Sequence, residues 1–462
     1  ERGDGESRFV ASASVTRVLQ PFLPDLDLII GTEEELMIAG GSESLETAMA
    51  KIRKVSDATV VLKRGEKGCE VYVAGRDSPI LSRTFPIKVL NILGAGDAFA
   101  SGFLRGWLRG ETLETCALWG NANGALTVTR HGCSPSIASF PELHHLIEHF
   151  DRDPDILESL ELLRLHQRTV LGQPRSHPLF LLDLDYRSEF EESCREQSLP
   201  ESSIREFKEL VFQGFRKVAE TSPELPLALL VDPIYGSGIL QESAYASYRV
   251  GVPIEKAGSF PTEWLCGEEL HQHLRERPSE WFVKVLWRFH PDLSPEQKSL
   301  QLKRLFRLNE ACRDLDRRLM LELIQPDLMS QNDAAQSASL LGGKDLAGAM
   351  SEVYDAQVYP FWWKITAIDS ELDWSRVTAT LDSHDPEAGV IISYADSSED
   401  KIKGWSKIIS TTPHACGFAI GRSSFWEPWE AYASGTLDAT EIPAIIAEGH
   451  QKFLHIWSGS TD

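Results

Sequence analysis

Long apolar runs, basic blocks and paired cysteines are all missing from this chain. No stretch of its 462 residues approaches the roughly 20 consecutive apolar residues of a membrane-spanning helix, so no membrane partner is expected. The 46 lysines and arginines face 69 aspartates and glutamates and nowhere form a basic block; a formal charge of -23 argues against nucleic acid or an anionic membrane surface. Small anionic ligands are still allowed, because a local site can be basic on an acidic protein. Seven cysteines (Cys69, Cys116, Cys133, Cys194, Cys266, Cys312, Cys416) are odd in number, widely spread and never in C-x-x-C spacing. They read as reduced, mostly buried thiols of a cytoplasmic enzyme. There is no G-x-x-x-x-G-K-[ST] loop, which speaks against a P-loop enzyme. The sequence opens at Glu1 without an initiator Met or a signal-like apolar run, and so reads as the middle of a longer protein.

What is present is an ordinary globular composition, 42% apolar and 25% charged, in a chain long enough for about two or three domains. Up to about residue 150 the pattern alternates strands and helices. Strands are expected at 26–30 and 59–63, a hairpin over 69–89, and helices from Asp97 and from Leu113. This predicts an α/β layout with a largely parallel sheet. Residues 151–176 turn charged and then carry Leu171-Gly172-Gln173-Pro174-Arg175 without a strand signal, so they are read as a linker with the boundary near 172.

From 177 to 462 eight short apolar segments recur, at 178–184, 227–231, 252–254, 281–287, 319–324, 358–365, 389–394 and 416–420. Helical stretches such as 294–316 and 399–409 lie between them. Eight strand-helix units of this size fit a (β/α)8 TIM barrel, with an open doubly wound sheet as the alternative. Barrel active sites gather at the carboxyl ends of the strands. Those ends offer Asp185 and Arg187, Asp232, Glu255, Lys284, Glu322, Lys364, Asp396, and Gly421-Arg422. A lysine in an apolar strand is expected to lose its proton through burial and to attack a ketone as a free amine, with a carboxylate moving protons. Lys364 with Glu322 on the neighbouring strand could be that pair, and Lys284 a second cation for substrate oxygens. Gly421-Arg422 lies where a barrel commonly binds phosphate. The bland alternative is a salt-bridged plug of lysines and carboxylates. Trp362 and Trp363 read as packing residues.

Six segments carry a resemblance: Asp185-Tyr186-Arg187, Val231-Asp232-Pro233-Ile234-Tyr235-Gly236, Glu255-Lys256-Ala257-Gly258, Val283-Lys284-Val285-Leu286, Trp362-Trp363-Lys364 and Gly417-Phe418-Ala419-Ile420-Gly421-Arg422. Together they resemble the aldolase-like domain fused to bacterial inositol-pathway sugar kinases, which is similar to class I tagatose-bisphosphate aldolases. The resemblance implies Lys364 as Schiff-base former, Glu322 as acid/base, Lys284 as a substrate contact and Arg422 as phosphate ligand, with no further cofactor. Asp185, Arg187, Asp232, Glu255 and Gly421 join Arg422 as expected substrate or phosphate contacts. Tyr186 departs from that family, which usually has His between Asp and Arg.

In the first half, Asn91-Ile92-Leu93-Gly94-Ala95-Gly96-Asp97-Ala98-Phe99 follows a strand and opens a helix. Small residues at a helix start let backbone N–H groups face an anion, and an Asp in the first turn can take the proton of an attacking hydroxyl. Phe99 stands where a dinucleotide fingerprint needs a small residue. Together with Gly31-Thr32-Glu33-Glu34-Glu35, Leu62-Lys63-Arg64-Gly65-Glu66-Lys67-Gly68 and Asn121-Ala122-Asn123-Gly124-Ala125, the segment resembles the C-terminal part of ribokinase-like (PfkB) sugar kinases, the 5-dehydro-2-deoxygluconokinases most closely. That resemblance implies Asp97 as base and Gly94, Ala95 and Gly96 as anion hole. Glu35 is implied as the organiser of magnesium, and Lys63, Gly65, Gly68 and Asn123 as neighbours of ATP. Thr32 replaces the family's usual Asn. Glu33 to Glu35 equally suit a solvated helix start.

His145-Leu146-Ile147-Glu148-His149 matches a metalloprotease spelling, but no third ligand lies near and a solvated helix face is the better reading. The sequence therefore predicts a partial ribokinase-like α/β domain (1–150), a linker (151–176) and an aldolase-like TIM barrel (177–462). The expected ligands are a sugar acid and its phosphate, and a homo-oligomer is compatible with the sequence. The expected function is ATP-dependent phosphorylation of 5-dehydro-2-deoxygluconate, by a kinase whose N-terminal half is missing from this sequence, joined to cleavage of the 6-phospho product. The alternative is a non-catalytic barrel that binds a sugar phosphate and tunes the kinase.

Overall fold

The computed structural model describes residues 12–289, 293–324, 343–368, 370–394, 403–404 and 412–459. The chain divides into two compact units, one up to Thr169 and the other from Val170. Among the described residues no helix is long and apolar enough to cross a membrane.

The first unit holds a four-stranded sheet of β1 (Leu28–Thr32), β2 (Thr59–Lys63), β3 (Cys69–Tyr72) and β4 (Ile80–Leu81), in that order. β1 and β2 run parallel from Leu28↔Thr59 to Thr32↔Lys63. β2–β3 and β3–β4 are antiparallel, so the expected largely parallel sheet is not what the described residues form. The reason is local. The turn Gly65–Lys67 between β2 and β3 is far too short for the crossover that parallel neighbours need. Val61 and Val71 of this sheet pack with Phe99 and Phe103 of the helix Ala95–Arg109 and with Cys116 and Ala117 of the helix Leu113–Val128. Residues 151–176, expected as a linker, contain no strand and carry the helix Leu160–Leu171.

The second unit is a closed barrel of eight parallel strands: β5 (Leu179–Leu184), β6 (Leu227–Val231), β7 (Arg249–Pro253), β8 (Phe282–Arg288), β9 (Leu319–Ile324), β10 (Trp362–Thr366), β11 (Gly389–Tyr394) and β12 (Ala415–Ile420). Pairing of β12 with β5 closes the ring, which rules out the open sheet. The apolar runs are continuous because a barrel strand is covered on both faces, by helices outside and by packed side chains inside. Alternation along each strand then sets what fills the interior. Leu179, Leu181, Phe282, Met320 and Trp362 belong to one apolar cluster that forms the floor. Two residues further along the same strands come Asp183, Lys284, Glu322 and Lys364. A charged layer thus sits on an apolar one. The expected helix 294–316 is observed as Pro295–Asp314, started by a Ser294/Gln297 capping box. Most of the expected helix 399–409, and Asp396, lie outside the described residues.

Candidate active site

Lys364 is the third residue of β10 and is paired in register with Glu322 of β9, so adjacency of the two strands places amine and carboxylate side by side. Its Nζ donates to Glu322 Oε1 at 2.6 Å and to Asp183 Oδ2. The other oxygen of Glu322, Oε2, lies 2.8 Å from Lys284 Nζ. Lys284 also donates to Asp185 Oδ2 at 2.8 Å and to Glu255 Oε1 at 3.1 Å. Two buried cations and four carboxylates therefore form one continuous network, with Glu322 bridging the lysines.

This network reverses one expectation. Burial is the largest single influence on Lys364 and would lower its pKa, but Asp183 and then Glu322 outweigh it and hold the amine above its ordinary value. At rest the amine is charged. Lys284 is held up in the same way, by Asp185 and Glu255 against burial. Burial alone would raise Asp185 and Glu322; the lysines, Lys284 foremost, hold both below the usual carboxylate range. Asp183 behaves differently. Burial and then the charge of Asp185 push it well above its ordinary value in spite of Lys364. A carboxylate of raised proton affinity thus touches the lysine amine.

Asp183 was not among the residues expected from the strand ends. Its signal was a charge inside the buried run Leu181-Leu182-Asp183-Leu184, two residues before Asp185 and so on the same face. Lys208 is a second unexpected participant. It is fully buried, pairs with Asp232 Oδ2, and donates to the carbonyls of Leu184 at 3.0 Å and Tyr186 at 2.8 Å. Those carbonyls flank Asp185, so Lys208 fixes the backbone that carries it. Asp232, expected among the ligand contacts, is occupied by this pairing and by the N–H groups of Ile234 and Tyr235 at 2.9 and 2.8 Å. Its carboxylate lies outside the network that joins Lys284 and Lys364.

Gly421 precedes the helix Arg422–Ala433 at the end of β12. A Cβ on Gly421 would come within 2.6 Å of the Tyr186 hydroxyl, and the Arg422 guanidinium lies 5.8 Å from the Tyr186 ring centroid. Tyr186, the residue that departs from the resembled family, thus packs against the expected phosphate position. Trp362 and Trp363 pack as expected, Trp362 in the barrel floor and Trp363 donating from Nε1 to the Tyr354 hydroxyl at 2.7 Å.

In the first unit the ends of β1 and β2 meet the start of the helix Ala95–Arg109. Lys63 Nζ lies 3.7 Å from Glu35 Oε2 and 3.3 Å from where a Cβ of Gly96 would sit. Gly94 caps this helix at φ 85°, a left-handed conformation that glycine adopts without strain, and it lets the chain turn tightly into Ala95 and Gly96. Asp97 is in the first turn and exposed. Glu35 closes a capping box with Thr32, its Oε2 accepting from the Thr32 N–H at 2.7 Å, so the helix-start role of the acidic run is present alongside its nearness to Lys63. Gly65 and Gly68 bracket the turn after β2, both at positive φ. Asn123 is elsewhere. It is buried, donating to the Ala98 carbonyl and Ser101 Oγ at 2.9 Å and accepting from the Ala138 N–H at 3.2 Å, so it ties helices together.

His145 and His149 lie with ring centroids 4.4 Å apart, and His149 Nδ1 is 2.9 Å from the His145 carbonyl. Among the described residues no group of three or more His, Cys, Asp or Glu side chains could hold a metal ion.

The fold is thus a ribokinase-like α/β region followed by an aldolase-like, closed parallel barrel. The profile of the pfkB family of carbohydrate kinases matches residues 7–139. The profile of DUF2090, described as an uncharacterized protein conserved in bacteria, matches residues 142–461, well over half of the chain, and the chain belongs to that family. The first part is similar to the 5-dehydro-2-deoxygluconokinase of Bacillus licheniformis, 32% identical over 125 residues that make up 26% of this chain and 38% of the relative. The chain thus spans less than half the length of the curated relatives it matches. Among solved structures, Arabidopsis thaliana ribokinase complexed with ribose and ATP is 27% identical, with a TM-score of 0.27, over 28% of this chain and 43% of its own. A Corynebacterium glutamicum protein is 13% identical, with a TM-score of 0.42, over 69% of this chain and 98% of its own.

Proposed function

We propose that the barrel is a Schiff-base lyase acting on a phosphorylated keto acid, and that the first unit is part of the sugar kinase that makes that phosphate. The observation that carries the lyase reading is the contact of Lys364 Nζ with both Glu322, at 2.6 Å, and Asp183. Asp183 takes the ammonium proton, and the neutral amine adds to the ketone carbon. Glu322 takes the proton that the nitrogen then sheds and passes it to the carbinolamine oxygen, Asp183 returns its own proton to that hydroxyl, which leaves as water, and the iminium forms. Loss of the proton from the hydroxyl two carbons away breaks the carbon–carbon bond and releases an aldehyde. The electron pair stays as an enamine, which is protonated and then hydrolysed by water. Arg422 and the start of its helix hold the phosphate. With 5-dehydro-2-deoxy-6-phosphogluconate the products are dihydroxyacetone phosphate and malonate semialdehyde.

In the first unit Asp97 accepts the proton of the attacking sugar hydroxyl, while the helix start at Gly94, Ala95 and Gly96 offers N–H groups to phosphate oxygens. The exposed carboxylate of Glu35 next to Lys63 suits a magnesium-bound triphosphate, with Gly65 and Gly68 bordering it. Bound ATP and magnesium supply the phosphoryl group and neutralise its charge.

The test is reductive trapping. Borohydride with dihydroxyacetone phosphate should attach the three-carbon phosphate irreversibly to Lys364, located by peptide mass, and Lys364→Met should take up none. A specific observation also favours a second reading, a barrel that binds a sugar phosphate without cleaving it: the resting amine is clamped in its charged form by two carboxylates. Saturable binding with Lys364 unmodified would select that reading and remove the lyase.

A further inference from the structure

Among the described residues, Arg187 Nη1 and Glu255 Oε2 are buried without hydrogen-bond partners, and they belong to residues already in contact. Arg187, 4% exposed, lies between β5 and the helix Ser188–Glu196 and reaches the end of β7, where its Nη2 donates to the Glu255 carbonyl at 3.0 Å. Its Nη1 has no acceptor. Glu255, 5% exposed, is fixed by a backbone bridge to Trp264 and gives Oε1 to Lys284, while its Oε2 receives no donor. Native proteins rarely leave such groups unpaired, and a buried guanidinium without an anion is the costlier case. Lys284 cannot supply the missing donor, since three carboxylates already surround it.

The chemistry of the two unpartnered atoms is specific. A carboxylate alone would answer Arg187 but repel Glu255, and an alcohol alone would answer Glu255 but leave the guanidinium uncompensated. A molecule with both groups on nearby carbons satisfies the pair. We propose that Arg187 and Glu255 form a subsite for the hydroxy-acid end of the ligand, with the carboxylate on Arg187 Nη1 and the hydroxyl donating to Glu255 Oε2. This deepens the lyase reading and rests on it only in placing a ketone at Lys364. The subsite selects an acid over a sugar phosphate that lacks a carboxylate, with Arg187 serving the carboxylate and Arg422 the phosphate.

The experiment is calorimetric binding to the wild-type chain of β-hydroxybutyrate, of butyrate, and of the corresponding diol. The hydroxy acid should bind, and each analogue lacking one group should bind about tenfold more weakly or worse, since each leaves one buried charged group unpaired. Arg187→Met should erase the preference for the acid over the diol, and Glu255→Gln should reduce the preference for the acid over butyrate. If either variant fails to fold, the ranking on the wild-type chain decides alone. Equal binding of all three, or no binding of the hydroxy acid because water alone fills the site, overturns the proposal. Lys364→Met should still bind β-hydroxybutyrate. A protein that binds it but cannot be trapped by borohydride therefore loses the lyase and keeps the subsite.

Discussion

A lysine amine between two carboxylates becomes a nucleophile only if one of them takes its proton, and the two around Lys364 are unequal. Glu322 is shared with a second lysine and held below its ordinary value, whereas Asp183 is pushed well above it. Asp183→Asn removes the better acceptor, and trapping of Lys364 by borohydride at neutral pH should slow by about a hundredfold, the lower range for loss of a positioned base. The rate should also become steeply pH-dependent, because bulk hydroxide must replace the internal acceptor. A trapping rate in Asp183→Asn equal to wild type across pH would assign the proton to Glu322 instead. The sequence could indicate Lys364 and Glu322, because neighbouring segments in a barrel become neighbouring strands. It could not indicate that Asp183 joins them, since that contact spans 181 positions and the aspartate is hidden within an apolar run. Lys208 left a fainter mark. It stands four residues after Ile204 on the core face of an amphipathic helix, where a charge needs an unseen partner. Asn123 was expected near the nucleotide from its motif, and the motif could not indicate that its amide is taken up in holding helices together.

At the scale of elements, the helix Ile442–Gly459 lies along the helix Ser202–Thr221. Ile442, Ile446, His450 and Leu454 are buried at four-residue spacing, so His450 occupies a core position among apolar neighbours, with Phe215 at 5.7 Å between ring centroids. Neither ring nitrogen has a partner. Burial lowers its pKa from 6.5 to about 4. The unfolded chain therefore binds a proton that the folded chain refuses, and stability falls as pH drops from about 6.5 toward about 4. Between pH 7 and pH 5 this one residue should remove about 2 kcal/mol, measurable as a shift in urea midpoint. His450→Leu should flatten that part of the pH dependence with little loss of stability at pH 7, since it replaces an unpaired polar ring by an apolar side chain. An undiminished slope in the variant would place the sensitivity elsewhere. The eight strands were legible because buried parallel strands read as continuous apolar runs between helices. The sheet of the first unit was misjudged because apolar runs alone do not state strand direction; the short turn Gly65–Lys67 was the better guide.

For the whole molecule, the order of the two units follows the order of the chemistry proposed for them. Phosphoryl transfer creates the anion that Arg422 is proposed to hold, so the product of the first unit has the charge the second requires, and a free sugar acid lacks it. Given ATP, magnesium and 5-dehydro-2-deoxygluconate, a full-length version carrying the complete kinase domain should release ADP and then dihydroxyacetone phosphate, the latter after a lag while the phosphorylated acid builds up. Two substitutions separate the steps. Lys364→Met should leave ADP release unchanged and accumulate the 6-phospho acid. Asp97→Asn should lower ADP release by at least about a hundredfold, as loss of a positioned base does, and should leave cleavage of added 6-phospho acid unaffected. Phosphorus NMR follows both species in one tube. Dihydroxyacetone phosphate formed at the wild-type rate by Lys364→Met would show that cleavage, if it occurs, does not pass through this amine. Undiminished ADP release by Asp97→Asn would remove the base from the first unit while leaving the barrel chemistry intact.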